Sequence, residues 1–154
     1  MTEIVLVKRA DGVLVPADQE ASDLLAKVKT GEAVRATIKR ARNLKHHRKM
    51  MALLRLAFDG WEPGELTYKG EPVERNFERF RHDIVILAGY YRQVVNIRGE
   101  VRFEAKSLNF ASMGQDEFAE LYDKVVTVIL RRVLTTYKRE DVDEVVEKIL
   151  NNFA

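Results

Sequence analysis

The residues best equipped for chemistry lie between Ala33 and Phe58. This window of 26 residues holds no aspartate or glutamate and eight lysines or arginines. With 24 acids in 154 residues, such a window arises by chance about one time in a hundred. Its densest part is Arg40-Ala41-Arg42-Asn43-Leu44-Lys45-His46-His47-Arg48-Lys49. Asn43 is a capping residue, and the apolar spacing after it predicts a helix running to about Gly60. Lys45, His46 and Arg48 then fall in or near the first turn, where positive charge opposes the helix dipole at a cost of a few tenths to ~1 kcal/mol. A phosphate held by the free amides and the basic side chains offsets that cost. Lys39, Arg40 and Arg42 approach the same point from a preceding strand. Lys39, Arg40, Arg42, Lys45, Arg48 and Lys49 therefore read as nucleic-acid contacts, assisted by His46. About four to six phosphate contacts make binding strongly salt-dependent. A solvated basic helix face has the same composition, so side-chain chemistry alone leaves both readings open.

Other chemistries find less support. His46 and His47 are neighbours, and neighbours on a helix diverge by about 100°, which does not suit one metal ion. His82 is remote in sequence, and there is no His-x-x-x-His or Glu-x-x-His pair. His47 falls on an apolar stripe with Met51, Leu54, Phe58 and Trp61, which makes it a packing residue and leaves His46 facing solvent or a phosphate. Tyr90, Tyr91 and Phe103, near Arg92, Arg98 and Arg102, offer base stacking at ~1–3 kcal/mol per base. Against that, Val101, Phe103 and Ala105 alternate as a core face. No Gly-rich phosphate loop is present, and no pair of acids at nuclease spacing adjoins the basic block. Asp83, Glu100 and Glu104 are the acids left to hold a divalent ion, and nothing marks them out. No cofactor, no metal and no catalytic activity are expected.

The elements that position these residues are legible as an α+β pattern. Glu3–Val7 and Val13–Val15 form an N-terminal β-hairpin with Asp11-Gly12 at its tip. Asp18 caps a short helix with Ala21, Leu24, Leu25 and Val28 on one face, ending near Gly31. Val34–Ile38 alternates as a third strand. After the basic helix, residues 62–75 read as a mobile loop. A helix follows from about Asn76 to Ala88, then strands Tyr90–Ile97 and Glu100–Lys106. A helix from Asp116 to Leu134 carries Phe118, Leu121, Tyr122, Val125, Ile129 and Val133. The last helix, from Asp141, carries Val142, Val145, Val146, Ile149, Leu150 and Phe153. The expectation is one domain over residues 1–154: an N-terminal β-hairpin and further short antiparallel strands packed with about five helices.

Composition bounds the rest. The chain is long enough for a hydrophobic core without staples. It has no cysteine, which removes disulfides and thiolate chemistry. No apolar run reaches the ~20 residues of a membrane span, and the N-terminus lacks the order of a secretory signal. A soluble, cytoplasmic protein is expected. The net charge of +2 is small, but Glu140, Asp141, Asp143, Glu144 and Glu147 make the last helix acidic. That helix would keep a polyanion off its side, and its apolar stripe packs either in the core or in a dimer.

The stretch Arg42-Asn43-Leu44-Lys45-His46-His47-Arg48-Lys49-Met50-Met51-Ala52-Leu53-Leu54, leading to Trp61-Glu62-Pro63, resembles a phage family of unknown function. Val15-Pro16-Ala17, Ser107 to Met113, Glu117-Phe118 and Leu121-Tyr122 are similar to that family too, and the chain is shorter in the middle. More distantly, the order of features resembles the phage lambda Orf (NinB) recombination protein. Arg40, Arg42, His47, Arg48 and Lys49 match its Arg-rich segment and helix opening, with His46 and His47 in place of a Gln-Asn pair. Glu117-Phe118-Ala119-Glu120-Leu121 matches a later helix. The resemblance implies a homodimeric recombination mediator in the cytoplasm of a bacteriophage host. It would bind single-stranded DNA and cooperate with host single-strand binding protein. Two alternatives stand beside it: a phage protein-interaction module or inhibitor acting on a host defence or replication factor, and a metal-dependent nuclease.

Overall fold

The computed structural model describes residues 2–38, 43–64 and 66–152. The expectations placed on Lys39, Arg40, Arg42 and Phe153 lie outside the described residues. Among the described residues there are five helices and three antiparallel strand pairs, an α+β arrangement opened by a β-hairpin.

That hairpin pairs β1 (Leu6–Lys8) with β2 (Leu14–Pro16), Val7 opposite Val15. Its turn is built by Asp11, whose carboxylate accepts the Val13 amide at 3.1 Å, and by Gly12, which takes a φ of +88°. A side chain at that φ is strained, which is why Asp-Gly suits the site. Asp18 then caps α1 (Gln19–Ala26), accepting the Ala21 amide at 2.8 Å.

The strand expected at Val34–Ile38 does not form. Residues 32–38 are exposed and unpaired. Alternation makes a segment fit to be a strand, but only a neighbouring strand can satisfy its amides and carbonyls.

Helix α2 (Leu44–Asp59) starts at Asn43, whose side chain accepts the His46 amide at 3.3 Å. Its Met50, Leu53, Leu54 and Ala57 have no solvent exposure. Each large apolar side chain buried this way contributes about 1.5–3 kcal/mol. Around α2 lie α3 (Phe77–Leu87), α4 (Gln115–Arg132) and α5 (Arg139–Asn151). They supply Phe80 and Ile84, then Phe118, Leu121, Val125 and Ile129, then Val142 and Val146 to one core. From the stripe of α5, Val142 and Val146 are spent on this core within the chain, and Val145, Ile149 and Leu150 are half-buried. That helix begins two residues before the expected Asp141. Asp141 instead accepts the Lys138 amide at 2.8 Å and closes the first turn.

Residues 62–75, expected as a loop, hold a small hairpin of β3 (Thr67–Tyr68) and β4 (Glu71–Pro72). Strands β5 (Tyr91–Val95) and β6 (Val101–Ala105) form a longer one. Partners across it share a face: Tyr91, Gln93 and Val95 lie with Ala105, Phe103 and Val101. The expectation that Val101 and Phe103 face the core is overturned, since they are 61% and 53% exposed. Helix α3 packs against β6, but Val101 and Phe103 stay on the solvent side, so the alternation is real and its apolar side meets solvent there.

Candidate nucleic-acid interface

The opening of α2 differs from that of every other described helix. Glu20, Glu78, Asp116 with Glu117, and Glu140 with Asp141 stand in the first turns of α1, α3, α4 and α5, where the dipole favours them. α2 has no acid there and carries Lys45 and His46 instead. The sequence expectation of a basic helix start holds in the folded chain.

The side chains of that start go to different places. Lys45 is exposed. His46 turns inward and is 5% exposed. Its ring stacks flat on Phe118, centroids 4.0 Å apart and planes 2° from parallel. Its Nε2 lies 3.3 Å from Gln115 Oε1, and its Nδ1 is buried without a hydrogen-bond partner. The expectation of a solvent or phosphate contact at His46 is therefore corrected: the ring is packing, out of reach of a ligand arriving from outside. The signal was in the spacing. Positions 46, 50, 53 and 57 form the deepest stripe of the helix, one residue away from the stripe through His47.

His47 sits at the junction of three segments. Its Nε2 is 3.1 Å from Asp18 Oδ2, and its ring meets Phe110 edge-on at 5.9 Å. Burial works to raise the Asp18 carboxyl, but the His47 and Ala21 hydrogen bonds and the charges of His47 and Arg48 outweigh it and hold it below its ordinary value. The Arg48 Nε donates to the Ala17 carbonyl at 3.1 Å, and Lys49 Nζ lies 4.5 Å over the Tyr122 ring. Asp18, Gln115, Phe110 and Phe118 position these side chains, and sequence distance hid all of them except the helical stripe through Phe118.

Ion pairs hold some of the described cations and leave others without one. Arg55, two turns on, is held by Asp23 at 3.2 Å and Asp59 at 3.3 Å. Arg79, Arg81, Arg92, Lys124, Arg139 and Lys148 each have a carboxylate within reach. Lys45, Arg48 and Lys49 have none within ion-pair distance among the described residues, a condition shared with Lys27, Lys29, Arg98, Arg102, Arg131 and Arg132; Arg48 still acts on Asp18 through its charge, and Lys49 on the Tyr122 ring. Beside Arg48 a cleft of about 420 Å³ opens between α1, α2 and α5, but Asp18, Glu20 and Asp59 line it with Arg48 and Arg55. That mixture of signs does not suit a polyanion, which directs one to the Lys45 side instead.

The candidate stacking residues are partly available. Tyr91 and Phe103 are exposed and meet edge-on at 5.0 Å. Tyr90 is half-buried, with Lys124 Nζ 5.5 Å from its ring centroid. Trp61 packs at 5.1 Å from Phe80, as a core anchor. Asp83, Glu100 and Glu104 are engaged by Arg79, Asn96 and Arg92 respectively. Among the described residues no group of three or more His, Asp or Glu is placed to hold a metal ion, and no helix is long and apolar enough to cross a membrane.

The family model described as "Protein of unknown function (DUF1367)" matches residues 1–71 and 67–153. No curated protein and no solved structure matches the chain. The two matched segments account for nearly its whole length, so the chain belongs to that family.

Proposed function

We propose that this DUF1367 member binds nucleic acid, single-stranded DNA in preference, and performs no catalysis on it. The observation that carries the reading is the start of α2, the one described helix with no acid in its first turn, where Lys45, Arg48 and Lys49 have no carboxylate within ion-pair reach among the described residues. Backbone phosphates offer the missing charge, through free amides as well as side chains. Lys39, Arg40 and Arg42 precede the helix in the chain and extend the same contact. On this reading the protein is a phage recombination or replication mediator like the lambda Orf (NinB) protein. It acts as a homodimer in the host cytoplasm, beside host single-strand binding protein.

Fluorescence anisotropy with a labelled single-stranded oligonucleotide tests it. Four to six phosphate contacts, at a salt slope of about −0.7 each, lower the affinity roughly 50- to 300-fold between 50 and 200 mM salt. Arg42→Ala with Arg48→Ala, or Lys45→Ala with Lys49→Ala, flattens the slope by about 1.4. Absence of binding at low salt, or binding indifferent to salt and to both pairs, refutes the proposal. Incubation of the oligonucleotide with Mg²⁺ or Mn²⁺ leaves it intact; cleavage would place the protein among metal-dependent nucleases.

A further inference from the structure

Two parts of the chain are incomplete in complementary ways. Residues 34–38 alternate apolar and polar as a strand does, yet all are exposed, and no hydrogen bond joins them to another described residue. The β5–β6 hairpin is the converse, a strand pair whose two outer edges bond to no other strand. One of its faces gathers Tyr91, Val95, Val101 and Phe103, with Ile97 near the tip, all exposed. Helix α3 packs against β6, but no further described strand pairs with the hairpin, and an unpaired edge invites one. Together with Val34 and Ile38 these residues make up seven of the fourteen exposed large hydrophobics. Such concentration on two elements marks a contact surface rather than scattered exposure.

We infer that two copies of the chain pair by strand exchange: residues 34–38 of each copy add as a third strand to the edge of the partner's β5–β6 hairpin. The missing strand and the open edge occur on one chain, so a twofold arrangement satisfies both at once, each copy giving and receiving. The register of side chains agrees. Val34, Ala36 and Ile38 continue the apolar face, while Arg35 and Thr37 join the face that carries Arg92, Arg102 and Glu104. In each of the two contacts the added strand pairs backbone groups of both edges and sets Val34, Ala36 and Ile38 laterally beside the apolar side chains of the strand it joins. The inference gives the proposed homodimer its surface and rests on that reading of the oligomer, not on nucleic-acid binding.

Light scattering coupled to size exclusion, over a concentration series, tests it. The unaltered chain is expected to dimerise. Val34→Glu with Ile38→Glu, and separately Val101→Lys with Phe103→Lys, each weaken dimerisation about tenfold or more. Circular dichroism stays unchanged, because all four side chains are exposed in the single chain. Mixing the two variants restores the dimer, since one contact is then unaltered and the other sets Glu against Lys. Of Ala36→Pro and Thr37→Pro, one weakens the dimer and the other does not, because alternate amides face the edge. A monomer at every concentration overturns both this inference and the homodimer reading. A dimer indifferent to the paired substitutions, loss without rescue on mixing, or equal effects of the two prolines overturns the strand exchange and leaves the homodimer standing.

Discussion

Asp18 ties the start of α2 to α1, and its removal has a calculable effect. It does two jobs: Oδ1 accepts the Ala21 amide at 2.8 Å as the cap of α1, and Oδ2 lies 3.1 Å from His47 Nε2. Loss of a cap costs about 1 kcal/mol, and loss of a hydrogen bond to a charged group about 1.5–3 kcal/mol. Asp18→Ala is therefore destabilised by roughly 2–4 kcal/mol, or about 5–15 °C in Tm for a chain of this size. Asp18→Asn keeps a capping oxygen and loses only the charge, so it falls about half as far. The pH dependence has a definite sign. The folded carboxyl lies below its ordinary value of 3.8, so its contribution is complete above the unfolded value and is lost as pH falls through the folded one. The gap between the unaltered chain and Asp18→Asn is thus present above about pH 5 and closes below about pH 4. Thermal melts followed by circular dichroism from pH 7 to 3 measure it. Melting of Asp18→Ala within a degree of the unaltered chain, or a gap that widens on acidification, refutes the reasoning.

Two further substitutions probe the neighbourhood. His46→Leu fills the same space on Phe118 and removes a buried nitrogen that has no partner, so stability changes by less than about 1.5 kcal/mol in urea titration. Oligonucleotide affinity stays within twofold, and a larger loss would return His46 to the contact set. Gly60→Ala brings a Cβ to 2.6 Å from Leu134 Cδ2 while the backbone, at φ −88°, accepts alanine. Leu134 is buried and cannot swing into solvent, so the change costs about 1–3 kcal/mol, read as a lower midpoint in urea. Adding Leu134→Ala makes room, and the pair loses less than the sum of the single changes.

What the sequence determined by itself was local. Asp18 and Asn43 could be named as caps because a short polar side chain answers amides within the next turn. The Asp11-Gly12 hairpin, the α4 and α5 stripes and the basic opening of α2 were equally legible, since each depends on residues a few positions apart. The DUF1367 match runs along residues 1–71 and 67–153. Tertiary structure decided whatever depends on a distant partner. Val34–Ile38 has the pattern of a strand and no described strand beside it, so it stays unpaired and exposed. Val101 and Phe103 have the pattern of a core face and stay on the solvent side. His46 and His47 are adjacent and alike, and only the placement of Phe118 and Asp18 sends one ring into the core and the other to a carboxylate. Periodicity tells a segment which face is apolar; which surface arrives to cover it is a property of the whole chain, or of two chains together.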